Sequence, residues 1–414
     1  MSVLLIGTLD TKGAEVGYVR DRLRAAGVPV VVLDAGVLGP PLFLPDIPRE
    51  KVFSAAGVSA DEVKRTADRG QAITLAAAGA ARLATELHAR GELTGVLSLG
   101  GSAGTTIGTA AMRALPVGVP KLMVSTLASG QVAPYVGNRD VMMLHSVVDI
   151  SGLNRISRAI LDNAAAAMTG MVLAPGSPEE RSAEAGPSSD RPIIAATMFG
   201  VTTPCVEAAR KILEAAGYEV LVFHATGTGG RTMEGLIQDG LVAGVLDITT
   251  TELADERAGG ILSAGPDRLT AAGAKGVPQV ISVGALDMVN FGPPETVPAR
   301  YHDRQFYRHN PTVTLMRTTP KEMAQLGAEI ARKAVAAAGP TVVIVPLKGV
   351  SAIDAEGKPF WWPEADAALF EAIRAGIPPG AGLVELDEHI NDPEFAATCA
   401  TTLLALIAEK RACA

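Results

Sequence analysis

Cysteine is scarce: Cys205, Cys399 and Cys413 are the three in 414 residues, and their spacing makes neither a disulfide framework nor a metal-ligand set. Positive charge is in deficit, with 36 Lys and Arg against 44 Asp and Glu, a net charge of -8 and an isoelectric point near 5.4. A surface of that sign offers no general attraction to a phosphate backbone, which excludes non-specific binding to nucleic acid. Long apolar runs are missing too. MSVLLIG has no basic residue ahead of it and is too short for a signal-peptide core, so it reads as a buried strand. Elsewhere polar or turn-forming residues interrupt every apolar stretch before it reaches membrane-spanning length. There is no Walker A motif, no G-x-G-x-x-G fingerprint and no G-x-S-x-G elbow. His88 and His389 have no partner at metal spacing, and Cys205 has no evident base. His145, in MMLHSVV, reads as a hydrogen-bonded core histidine, and Trp361-Trp362 as a packing plug. These absences point to a cytoplasmic protein without membrane or nucleic-acid partners.

What the chain does have is a repeat. Residues Ile6 to Gly36 return in diverged form as Ala196 to Thr226, each a strand, a turn, an amphipathic helix ending in Ala-Ala-Gly and a second apolar strand. TGVLSLGGSAG (Thr94 to Gly104) matches AGVLDITTTEL (Ala243 to Leu253), and GVPKLMVST (Gly118 to Thr126) matches GVPQVISVG (Gly276 to Gly284). The strands are near-continuous apolar runs alternating with helical patterns, as a parallel sheet covered on both faces requires. The expected fold is α/β: two doubly wound domains related by internal duplication, with mostly parallel sheets. Hydrophobic residues make up 48% of the chain, enough for two packed cores.

APGSPEERSAEAGPSSDRP is rich in Pro, Ser, Gly and charge and has almost no bulky apolar side chain. It sets the expected domains at 1–175, a linker at 176–191, and 192–414, the last with a further C-terminal α/β unit that has no counterpart in the first copy. Asp34 to Gly95 spans 61 positions, whereas His224 to Gly244 spans 20, so the first copy carries an insert of about 41 residues. A lid, an oligomer contact and a surface elaboration all fit it.

Two Gly-containing turns in the first domain each follow a strand and open a helix. One holds Gly7, Thr8, Asp10, Thr11, Lys12 and Gly13; the other holds Gly100, Gly101, Ser102, Gly104, Thr105 and Thr106. Glycine lets amides approach an anion, a helix N-terminus adds positive potential, and hydroxyls bind phosphate oxygens. Lys12 supplies a mobile cation, and Asp10 suits Mg²⁺ held through water. The second copy replaces Asp10, Lys12 and Gly13 by Gly200, Thr202 and Thr203, and Gly100-Gly101 by Thr249-Thr250. Its own polar residues include the Gly-rich turn His224 to Thr232 with Arg231. His302 and His309 are acid/base candidates there, and Arg304, Arg317 and Lys348 are candidate anion holders.

IGTLDTKGAE, LGGSAGTT, FHATGTGGRTMEGLI, RHNPTVTLMRTT and PLKGVSAIDAEGKPFWWPEAD, in this order, resemble the Tm-one-like ATP-binding family, which includes a plant inhibitor of tobamovirus RNA replication and many bacterial proteins. The resemblance runs from Val3 to about Ala408. It implies two Rossmann-like domains, ATP with Mg²⁺ at the first domain's Gly-containing turns, and a homodimer. Two functions follow as expectations. One is a nucleotide-binding protein with a cleft for a small anionic metabolite between its domains. The other is an ATP-dependent enzyme for phosphoryl transfer or hydrolysis on a small carboxylic or sugar acid, with His302, Arg304, His309 and Lys348 at the second substrate.

Overall fold

The computed structural model describes residues 1–37, 39–66, 68–174 and 191–413. Apart from Arg191, the expected linker 176–191 lies outside the described residues. The chain divides into two compact units, residues 1–186 and 187–414. No helix of the described residues is long and apolar enough to cross a membrane.

Unit 1 opens with β1 (Ser2–Gly7), α1 (Leu9–Ala25) and β2 (Val30–Asp34). The insert follows as α2 (Arg49–Ala55), α3 (Ala60–Thr66) and α4 (Arg69–Ala89). Then come β3 (Leu93–Gly100), α5 (Ser102–Arg113), β4 (Lys121–Ser125), α6 (Ala133–Val136), β5 (Met142–His145) and α7 (Arg155–Leu173). The strands form one parallel sheet in the order β2-β1-β3-β4-β5. Period-two alternation sends Val3 and Leu5 to a core with α1 and α7, and Leu4 and Ile6 to a second core with α2, α4 and α5. Both faces are covered, which is why β1 carries no polar face. The helices of the insert pack closely on one another: a Cβ on Gly79 of α4 would stand 1.9 Å from the Val52 carbonyl oxygen of α2.

Unit 2 repeats the plan. It has β6 (Ile193–Met198), α8 (Thr203–Ala215), β7 (Glu219–His224), α9 (Thr228–Gln238), β8 (Gly244–Thr249), α10 (Glu252–Ala258), α11 (Ala271–Ala274) and β9 (Gln279–Gly284). The rest is β10 (Met288–Phe291), β11 (Phe306–Asn310), β12 (Val313–Arg317), α12 (Pro320–Val335), β13 (Thr341–Pro346), α13 (Pro363–Gly376), β14 (Leu383–Leu386) and α14 (Pro393–Cys413). The main sheet runs β7-β6-β8-β9-β13-β14, all parallel, and β10-β12-β11 form a small antiparallel sheet. The two units are thus Rossmann-like, doubly wound and internally duplicated.

The topology revises one expectation. β13 lies beside β9 as β5 lies beside β4, and α14 packs on α8 as α7 packs on α1. Part of the C-terminal segment therefore does have a counterpart in the first copy. What lacks one in unit 1 is the antiparallel sheet with α12, and α13 with β14. The interposed residues hid the correspondence in sequence.

Candidate functional site

In a doubly wound sheet, a crevice opens at the carboxyl ends of the strands where the strand order reverses direction. In unit 1 the chain moves from β1 to β2 on one side and returns to β3 on the other, so the reversal lies between β1 and β3. A cleft of about 730 Å³ opens there, a size suited to a small-molecule ligand. Thr8, Asp10, Thr11 and Lys12 line it from the β1–α1 turn, and Gly100, Gly101, Ser102, Ala103 and Gly104 line it from the β3–α5 turn. Val63 and Lys64 of α3 and Arg69, Ala72, Ile73 and Ala76 of α4 also line it. Two helices of the insert are therefore a wall of the cleft.

The β3–α5 turn is tight: a Cβ on Gly100 would stand 2.8 Å from the Gly104 Cα. Gly101 caps α5, and the amides of Ser102, Ala103 and Gly104 form the first turn, where no intrahelical acceptor is available. Together with the helix dipole they favour an anion. Four expected phosphate residues do not line the cleft. Gly7 is buried under Val16, and Gly13 under Leu42, each so close that a Cβ would overlap its neighbour. The Thr105 hydroxyl shares a hydrogen bond of 2.7 Å with Ser125 Oγ, and the Thr106 hydroxyl donates to the Ser102 carbonyl at 2.9 Å. These four shape the turns rather than face the space.

Lys12 interrupts the helical geometry of α1, and its ammonium donates to the Ile150 carbonyl in the loop that also brings Asp149 to the cleft. The Asp10 carboxylate accepts from the Gly39 amide at 3.2 Å and lies 3.7 Å from the Arg49 guanidinium. Arg49 was not marked out by sequence. It is nearly buried at the start of α2 and donates to Asp34 Oδ2 from both Nε, at 2.8 Å, and Nη2, at 2.7 Å. Asp34 Oδ1 accepts from the amides of Leu9 and Gly36, both at 2.9 Å. One guanidinium thus ties the end of β2 and the start of α1 to the insert.

At the equivalent strand ends of unit 2, buried threonines bond to one another. Thr202 Oγ1 and Thr249 Oγ1 are 2.7 Å apart, and the Thr249 amide donates to Thr197 Oγ1 at 3.0 Å. By the sequence alignment, Thr197 and Thr249 stand where unit 1 has Gly7 and Gly100. The Gly-rich turn expected to welcome an external anion already has one. The amides of Gly227 and Gly230 donate to Glu252 Oε1 at 2.7 and 3.1 Å, and Arg231 donates to the Ser263 carbonyl. Arg268, fully buried, binds Asp247 through two nitrogens and Glu252 through a third. Burial works against its charge, but Asp247, Glu252 and Glu234 hold the guanidinium well above its ordinary pKa.

The other candidates of unit 2 are engaged or exposed. Arg304 forms a two-pronged pair with Glu322, at 2.6 and 3.1 Å, and Lys348 binds Asp387. His302 and His309 are exposed. Arg317 is buried, donating to Asp366 at 2.7 Å and to the Phe360 carbonyl. His145 departs from expectation: it is only partly buried, and its Nδ1 has no hydrogen-bond partner. Phe360 is the buried plug of its segment; Trp362 packs against the core and Trp361 is exposed.

Beside Arg317, Asp287 accepts from the Ser351 hydroxyl at 2.8 Å, and its other oxygen has no partner. Burial, reinforced by Asp354 and opposed by Arg317, pushes the Asp287 carboxyl up to about 8; burial and Asp354 push Asp366 up to about 7. An unfolded aspartate titrates near ~4, so the fold holds these protons more tightly. Their stabilising contribution is complete below ~4 and is lost as pH rises through the folded values. The melting temperature should therefore fall between about pH 5 and 8, with a shallower fall in Asp287→Asn. An unchanged slope in that variant would clear Asp287 of the effect.

Residues 1–176 match the N-terminal domain, and 191–407 the C-terminal domain, of the uncharacterised protein family UPF0261. The chain belongs to this family. A UPF0261 protein of Clostridium tetani is 49% identical over 403 residues, an alignment covering 97% of this chain and 98% of that one. The ToMV resistance protein Tm-1(GCR237) of Solanum lycopersicum is 39% identical over 99% of this chain, which spans 56% of that protein's length. Among solved structures, the UDP-N-acetylglucosamine 2-epimerase from Rickettsia bellii aligns over 67% of this chain and 78% of its own, at 10% identity and a TM-score of 0.23, a likeness too slight to carry an argument.

Proposed function

We propose that unit 1 binds ATP or a related nucleotide, with the phosphates at the first turn of α5 and against the β1–α1 turn. The observation that supports this most is that both Gly-containing turns meet in one cleft at the reversal of strand order. Free amides, hydroxyls of Thr8, Thr11 and Ser102, and the Lys12 ammonium supply the donors that phosphate oxygens need. Mg²⁺ would enter with the nucleotide. Asp10 fits it only through water, because its carboxylate is already engaged by Gly39 and Arg49.

Binding without turnover is the better-supported reading, since Arg304 and Lys348 of the proposed acid-binding group already hold carboxylates of their own. The test is calorimetric titration and thermal shift with Mg·ATP, followed by ADP detection over small carboxylic and sugar acids. ATP should stabilise the protein, by ~2.7 kcal/mol at a hundred times Kd. Lys12→Ala should weaken ATP at least tenfold; unchanged affinity would move the phosphates away from the β1–α1 turn. Acid-stimulated ADP release would favour the enzyme.

A further inference from the structure

We infer that the insert is the base-recognition element of unit 1, and that the nucleobase lies against α4 at Ala72 and Ile73. This rests on the nucleotide reading and extends it to a part of the ligand that the Gly-containing turns do not explain.

The strand–helix turns contribute amides, hydroxyls, Asp10 and Lys12 to the lining, whereas the insert contributes the charged residues Lys64, Asp68 and Arg69 and an apolar stretch of Val63, Ala72, Ile73 and Ala76. These four belong to or pack against one hydrophobic core, together with Val37 and Ile107, which also line the cleft. The apolar lining is therefore a continuous surface rather than scattered methyl groups. Ala76 lies beneath this lining at 0% exposure, while Ala72, at 5%, and the half-buried Ile73 border the cleft on α4. Burial of an apolar ring face here contributes in proportion to its area.

Two further features point the same way. In dinucleotide-binding α/β folds, an acid after the second strand holds the ribose. Asp34 has that position, but it is 1% exposed and fully engaged by Arg49, Leu9 and Gly36. Recognition along β2 is closed, which leaves the insert as the wall against which the nucleoside can settle. The second copy supplies an internal comparison: it lacks the insert, and at its equivalent strand ends Thr197, Thr202 and Thr249 are buried and bonded to one another.

The test uses the full chain. Mg·ATP and Mg·tripolyphosphate are titrated into the unaltered protein and into Ala72→Met, which adds bulk to the apolar lining. ATP affinity should fall at least tenfold in the variant, with tripolyphosphate affinity changed by less than twofold. Independently of any variant, 8-azido-ATP photolabelling of the unaltered protein should mark peptides from residues 60–89. ATP binding that survives Ala72→Met, or base-directed label confined to other segments, overturns the inference while leaving the nucleotide reading intact. Failure of both ATP and tripolyphosphate to bind the unaltered protein overturns the nucleotide reading itself and this inference with it.

Discussion

Replacing Arg268 by methionine is expected to destabilise unit 2 severely at neutral pH. Its guanidinium is 0% exposed in the side chain and faces Asp247, Glu252 and Glu234 at 2.5, 2.6 and 3.3 Å. Methionine fills comparable volume but leaves those acids without a counter-charge in the protein interior. Breaking one side of a buried ion pair costs about 3–5 kcal/mol, against a total stability of ~5–15 kcal/mol for a typical domain. Hydrogen exchange on the full chain, resolved to peptides of β8, α9 and α10, would locate the loss in unit 2. A loss below ~1 kcal/mol at pH 7 would mean that the network contributes little beyond packing. Arg268→Lys should fall between, because an ammonium cannot reproduce the forked geometry that engages Asp247 with two nitrogens.

Ser102→Glu should do the opposite, sparing the fold and removing the ligand. Ser102 is exposed and is the first residue of α5. An acidic side chain in a first helical turn interacts favourably with the helix dipole, typically by about 0.3–1 kcal/mol. The melting temperature of the ligand-free protein should stay the same or rise slightly. The same carboxylate stands where the phosphates are proposed to bind, so ATP affinity should drop at least a hundredfold, about 2.7 kcal/mol. Ser102→Ala should lose only a few-fold. ATP binding unchanged by glutamate would take the N-terminus of α5 out of the site.

The parts of this molecule that are legible in sequence are those encoded locally. Continuous apolar runs between helical patterns announce a parallel sheet, and the repeat announces that it is built twice; both follow from contacts within a strand–turn–helix unit. The two Gly-containing turns of unit 1 reach the same cleft because parallel strands put their carboxyl ends on one side. The ion pairs were not legible. Arg49 with Asp34 and Asp10 depends on how the insert folds back on the sheet, which no periodicity records. The turn from His224 to Thr232 has the composition of an anion site, and it is one, but its anion is Glu252 from the same unit. Arg304 and Lys348 looked like anion holders for the same reason, and their partners are Glu322 and Asp387. Residue type reveals that a charge is to be neutralised; only the fold reveals whether the neutralising group is part of the chain.

The buried strand ends of unit 2 and the open cleft of unit 1 place different demands on equivalent positions. Substitutions at Thr249 or Asp247 strike buried hydrogen bonds and would lower the amount of folded protein in a cell. Substitutions at Ser102 or Thr11, which line the open cleft, would leave abundance nearly unchanged and alter only what the protein holds. On the nucleotide reading, a saturation scan scored once for abundance and once for ligand-dependent protection should therefore separate the two halves of one duplicated design, the first constrained by what it binds and the second by its own interior.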